Sequence, residues 1–116
     1  MRIHHLALRT ANVAQLERFY VAALGLAVVR RQERSVWLDA GGTIVMLELR
    51  DEGEPAPGAR SKELVAFAVA SDARALTMDR LADAGVAVEA STEFTLYVRD
   101  PDGRRVGLSS YPAALV

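Results

Sequence analysis

The chain has no cysteine, which excludes disulfides, thiolate metal sites and cysteine nucleophiles. It has no apolar run near the roughly 20 residues that a membrane helix needs. It has no excess of either charge, the formal net charge being -1. No basic surface therefore points to nucleic acid or anionic lipid, and neither a nucleic-acid nor a membrane partner is expected. The opening Met1-Arg2-Ile3-His4-His5 lacks the apolar core of a signal peptide, so a cytoplasmic location is expected. There is no Gly-rich phosphate loop, Walker pattern or Gly-x-Ser-x-Gly elbow. What is present is ordinary globular composition, 51% hydrophobic and 25% charged over 116 residues. That is enough for one compact core and too little for two independent domains.

The most specific stretch is Asp100-Pro101-Asp102-Gly103. Pro101 presets φ, Asp102 tolerates turn conformations and Gly103 accepts φ > 0. Strand-like segments at 94–98 and 105–109 flank it, so it reads as a late β-hairpin.

The first strand covers 2–9, with Leu6 and Leu8 on one face and Ile3, His5, Ala7 and Arg9 on the other. Thr10 or Asn12 can cap a helix near 13–24 that carries Leu16, Phe19, Tyr20, Ala23 and Leu24, and Gly25 ends it. Strands follow at 26–30, 35–39 and 43–49, with Gly41-Gly42 as a turn. Residues 51–61, with two prolines and two glycines, read as a linker or mobile flap. The order then repeats. A strand at 64–69 precedes a helix near 72–84, capped by Ser71 or Asp72, carrying Ala75, Leu76, Met78, Leu81 and Ala82 and ended by Gly85. Strands at 86–90, 94–98 and 105–109 complete it, and the tail 111–116 carries no assignable pattern. The fold class is therefore α+β: two βαβββ repeats, about 1–50 and 62–110, forming a curved-sheet trough suited to a small molecule. An open apolar trough is also expected to make the protein a homodimer.

His5-Leu6-Ala7-Leu8, Phe19-Tyr20, Leu24-Gly25-Leu26, Leu47-Glu48-Leu49 and the Asp-Pro-Asp-Gly turn stand in an order and spacing that resembles the vicinal oxygen chelate superfamily. That superfamily includes glyoxalase I, extradiol dioxygenases and bleomycin-resistance proteins. The resemblance covers nearly the whole chain and implies one glyoxalase-like domain. In metal-dependent members four ligands face the trough, one from the first and one from the last strand of each repeat. The resemblance puts them on His5, Glu48, Leu64 and Gly107, and the last two have no ligand atom. One imidazole and one carboxylate fall short of the three protein ligands usual for a catalytic metal. No metal or other cofactor is therefore expected. His4 is not expected to supplement the pair, because adjacent strand residues point to opposite faces.

The resemblance thus implies a glyoxalase/bleomycin-resistance-type protein that binds a small hydrophobic or aromatic molecule in its trough. Ala7, Trp37, Met46, Leu64, Ala66 and Tyr97 would line it, with His5, Glu48 and Arg9 as polar anchors. Glyoxalase I has an Arg at the position of Arg9 that contacts a carboxylate of glutathione; a surface Arg at a strand end is the plainer reading. Trp37 faces the trough if Leu38 faces the helix, and there it either stacks on a flat ligand or fills the trough or a dimer interface. The run 30–34, rich in Arg, is most simply a solvated hairpin end. The alternative is a superfamily enzyme of lyase, isomerase or dioxygenase type. It would use a weak divalent-metal site, or metal-free acid–base chemistry by His5 and Glu48. Whether turnover occurs is open at this level.

Overall fold

A computed structural model describes residues 1–116. The chain forms two compact units, Met1–Ala56 and Pro57–Val116. Each contains a strand, a helix and three further strands.

In the first unit β1 (His5–Thr10) leads to α1 (Val13–Arg18), which continues as one π-helical turn over Phe19–Ala23. The hairpin strands β2 (Ala27–Arg31), β3 (Ser35–Asp39) and β4 (Ile44–Leu49) follow. The sheet order is β1-β4-β3-β2, with β1 parallel to β4 and the other pairs antiparallel. Asn12 is the cap: its side chain accepts from the Gln15 N–H at 3.0 Å, while Thr10 Oγ1 accepts from the Asn12 N–H. The helix packs on β3 and β4. Leu16, Phe19, Tyr20 and Ala23 are buried with Val36, Leu38, Val45 and Leu47, as the spacing predicts. Burying apolar area of this kind is the main stabilising term, roughly 25 cal/mol per Å². Because Leu38 is fully buried on the helix side, Trp37 lies on the opposite, uncovered face of this sheet.

The second unit repeats the plan with β5 (Leu64–Ala68), α2 (Arg74–Asp83), β6 (Ala90–Ser91), β7 (Thr95–Arg99) and β8 (Arg105–Ser109), in the order β5-β8-β7-β6. Three sequence expectations need correction here. Neither Ser71 nor Asp72 caps α2: the N-cap is Ala73 without a side-chain bond, and the carbonyl of Val116 accepts the Arg74 N–H. The strand expected at 86–90 is reduced to Ala90–Ser91, because the Val86 N–H bonds to the Leu81 carbonyl and closes the helix end around Gly85 (φ +72). Of the apolar residues expected on α2 only Leu81 is buried, together with Thr77 one turn earlier; Leu76 and Met78 are exposed.

The unassigned tail is part of this unit's core. Leu115 is buried, its N–H bonds to the Glu93 carbonyl, and the Val116 N–H bonds to Ser71.

Candidate functional site

Register decides which candidate residues meet. In the first unit His5 pairs with Ile44, Ala7 with Met46 and Arg9 with Glu48. Across the other strands Met46 pairs with Trp37, Trp37 with Arg30, and Glu48 with Ser35. His5, Ala7, Arg9, Met46, Glu48 and Trp37 therefore share one face, as alternation predicts. They do not form one cluster. Glu48 lies four positions from the partner of His5, roughly 13 Å along the strand at 3.3 Å per residue.

His5 and Glu48 are thus not neighbours across the sheet. In the second unit Leu64 pairs with Arg105, and Gly107 lies two residues further on. The same offset from His5 in the first unit reaches Met46, not Glu48.

The face accordingly carries two sites. One is a small cavity of about 80 Å³ lined by His4, His5, Trp37, Ile44 and Met46. His4 precedes the first strand residue, so alternation does not turn it away. The two imidazoles meet edge to face with Nδ1 atoms 2.9 Å apart, one donating and the other accepting. The indole Nε1–H of Trp37 is buried without a hydrogen-bond partner, and the Arg30 guanidinium lies 5.1 Å from the ring centroid.

The other is an open polar cleft of about 420 Å³ that includes Arg9, Arg34, Ser35, Glu48 and Asp51. Arg9 is not a spare anchor here. Its Nε and Nη2 donate to the two carboxylate oxygens of Glu54 at 3.1 and 2.7 Å, a bidentate pair. Asp51 lies 3.4 Å away and Glu48 3.8 Å. Asp51 and Glu54 belong to the segment read as a linker, whose first residues fold back onto β1. Other arginines of the 30–34 run are partnered as well, Arg31 with Glu17 and Arg34 with Asp51 and the Leu49 carbonyl.

Hydrogen bonding from Arg9, reinforced by the Asp51 N–H, holds the Glu54 carboxyl down at about 2, and the same pairing raises Arg9. A carboxylate whose folded pKa is depressed contributes stability above its unfolded pKa. That contribution is lost as pH falls toward the folded value. The 51–54 turn is therefore expected to stay docked at pH 5 and to release between about pH 4.5 and 2. NMR titration of the Glu54 carboxyl checks this, and a midpoint near 4.5 would mean that the pair does not form.

In the second unit the open face carries Leu64, Arg105 and Arg99, then Ala66, Gly107 and Tyr97. Gly107 is buried under its neighbours: a Cβ there would lie 3.3 Å from both Leu64 Cδ1 and Ala66 Cβ, and 3.4 Å from Thr95 Cγ2. Tyr97 does not present a bare ring, because the Arg105 guanidinium stacks on it at 4.1 Å. The Asp-Pro-Asp-Gly turn is structural. The buried Asp100 carboxylate accepts the N–H groups of Asp102 and Arg104 and one Arg104 guanidinium N–H.

By the second unit's offset the four positions would hold His5, Met46, Leu64 and Gly107, with one imidazole and one thioether among them. No group of three or more His, Asp or Glu side chains lies close enough to hold a metal.

Sequence reasoning missed His4, Glu54 and Arg105. Arg105 was legible in principle, since hairpin register around the turn places it diagonally beside Tyr97. Glu54 had no periodic signal.

Two four-stranded sheets of βαβββ order, each opened by a parallel pair, define a glyoxalase-type fold. Residues 2–108 match the model of the Glyoxalase/Bleomycin resistance protein/Dioxygenase superfamily, and the chain belongs to that superfamily. No curated protein matches it in sequence. Among solved structures it is similar to a glyoxalase/dioxygenase from Nostoc punctiforme, at 19% identity and TM-score 0.80 over 96% of this chain and 91% of that one. It is similar to lactoylglutathione lyase from Agrobacterium tumefaciens, at 22% identity and TM-score 0.73 over 95% and 93%. It is also similar to a mutant of the fosfomycin resistance protein FosX from Listeria monocytogenes, solved with Mn(II) and 1S,2S-dihydroxypropylphosphonic acid, at 15% identity and TM-score 0.80 over 94% and 89%. At these identities the likeness is one of fold.

Proposed function

We propose that the chain binds a small, hydrophobic or aromatic molecule on the open faces of its sheets, as a glyoxalase/bleomycin-resistance-type protein without a metal site. One observation carries this reading. At the second unit's ligand positions Leu64 lies over Gly107, so close that a Cβ at 107 would sit 3.3 Å from Leu64 Cδ1 and the leucine would have to give way by a few tenths of an ångström. That pair is built as apolar surface, and a ligand of matching character suits it better than an ion. A homodimer belongs to the same reading, since half-exposed Leu64 is apolar surface that a second copy would cover. The acid–base alternative that needs His5 and Glu48 at one substrate atom loses support, because register sets them apart.

Metal titration of untagged protein tests the reading. A site occupied at a hundredfold excess over Kd adds about 2.7 kcal/mol to stability. Zn(II), Ni(II) and Mn(II) are expected to give no such gain and to co-purify below stoichiometry. One bound equivalent that disappears in His5→Ala would overturn the proposal.

A further inference from the structure

The second unit holds an open cleft of about 620 Å³ whose walls include Pro57, Gly58, Ser61, Leu64 and Arg105. Its charged lining consists of Arg104, Arg105 and the exposed Glu63. Arg104 is committed to Asp100 and Asp102 at 3.1 and 3.0 Å. Arg105 is held differently. One face of its guanidinium lies on the Tyr97 ring at 4.1 Å, and its Nε is buried without a hydrogen-bond partner. That Nε forms a long ion pair with Glu89 at 3.8 Å, and both Glu89 oxygens accept from Arg99 Nε at 3.1 Å. The cleft wall is fixed independently of Arg105. Arg99 Nη1 donates to the carbonyls of Ser61 and Gly103, and the 57–61 segment packs against the turn at Gly103.

A permanently charged, ring-stacked guanidinium that makes no hydrogen bond within the protein, beside the apolar side chain of Leu64, matches one class of ligand. We infer that this cleft binds a small amphipathic carboxylate, its anionic end on Arg105 and its apolar body along Leu64 and Pro57. A carboxylate fits because two parallel N–H donors of a guanidinium meet its two oxygens. Stacking on Tyr97 immobilises the side chain beforehand, so little rotamer freedom is lost on binding. This deepens the metal-free reading above and rests on it for the premise that the occupant is a small organic molecule.

The test titrates the full chain with benzoate, cyclohexanecarboxylate and neutral benzamide in buffer containing EDTA. Calorimetry and the arginine Nε–H resonances in NMR are the readouts. Both carboxylates are expected to bind and to shift the Arg105 Nε–H signal, and benzamide is expected to bind far more weakly. Arg105→Gln should lower carboxylate affinity about tenfold or more, with Arg105→Lys between the two. The wild-type resonance shift keeps the test valid should the Gln variant fold poorly. The inference is overturned if benzamide binds as well as benzoate, if Arg105→Gln binds unchanged, or if neither carboxylate binds at about 10 mM either in EDTA or in a parallel EDTA-free titration with added Zn(II) or Mn(II). Metal-free binding indifferent to Arg105 would sink this inference and leave the metal-free reading standing. Binding that needs added Zn(II) or Mn(II) yet still depends on Arg105 would do the reverse.

Discussion

Gly103→Ala is expected to destabilise the protein well beyond Gly53→Ala, although both glycines have left-handed backbone. Their φ angles are +87° and +80°. A non-glycine residue held in such a region costs about 1–3 kcal/mol, and both variants incur that cost. They differ in what the new methyl meets. At Gly53 nothing lies within 4 Å, whereas at Gly103 the Cβ would sit 2.9 Å from both Cα and Cβ of Ala59. A backbone atom at that distance cannot rotate away, so the 57–61 segment must move. Ser61 and Gly103 are bridged through Arg99, so displacing that segment also strains the hydrogen bonds that hold the cleft wall. Denaturant unfolding of the two variants should show the larger loss for Gly103→Ala. Hydrogen exchange at the Ser61 N–H, which bonds to the Gly58 carbonyl at 3.1 Å, should quicken in that variant alone. Equal losses would mean that the close approach to Ala59 costs nothing.

That contrast also shows what a sequence can carry. Asp-Pro-Asp-Gly announced its turn because each residue has a local conformational reason to be there. The packing of Ala59 against Gly103 is a contact between distant residues and leaves no local trace. The same division runs through the candidate site. Alternation with period two put His5, Glu48, Trp37 and Met46 on one face, and that follows from strand geometry alone. Register is a relation between two strands, and a two-residue offset preserves every face while moving a side chain by roughly 7 Å. Leu47-Glu48-Leu49 therefore drew the ligand position to Glu48, although Met46 is the residue whose place repeats that of Gly107. His4 was misjudged for a related reason: alternation holds within a strand, and β1 begins at His5. The α2 cap escaped because its acceptor is the carbonyl of Val116, a contact with the far end of the chain.

Trp37→Ala is expected to remove binding of small apolar ligands to the first unit while leaving most of its stability. Trp37 and Leu38 are sequence neighbours on opposite faces of β3, and they make a matched pair of tests. Leu38 is fully buried against α1, so Leu38→Ala should cost about 2–5 kcal/mol. Trp37 is only half-buried, on the face no helix covers. Its truncation loses the contact with Arg30, a cation–π interaction of about 0.5–1 kcal/mol at an exposed site. It also removes an indole N–H that is buried without a partner, which offsets part of the lost packing. The cavity beside it, about 80 Å³ among His4, His5, Ile44 and Met46, suits the edge of a single ring better than a fused aromatic. Benzyl alcohol is a suitable probe, because it carries a single ring and a small polar end. As the chain's one tryptophan, Trp37 reports occupancy directly through its fluorescence. Trp37→Phe separates ring from donor: weaker binding with unchanged stability would assign the N–H a role in holding the ligand. A loss of about 3–5 kcal/mol in Trp37→Ala would instead make the indole a packed core residue, and its role as a binding platform would have to be withdrawn.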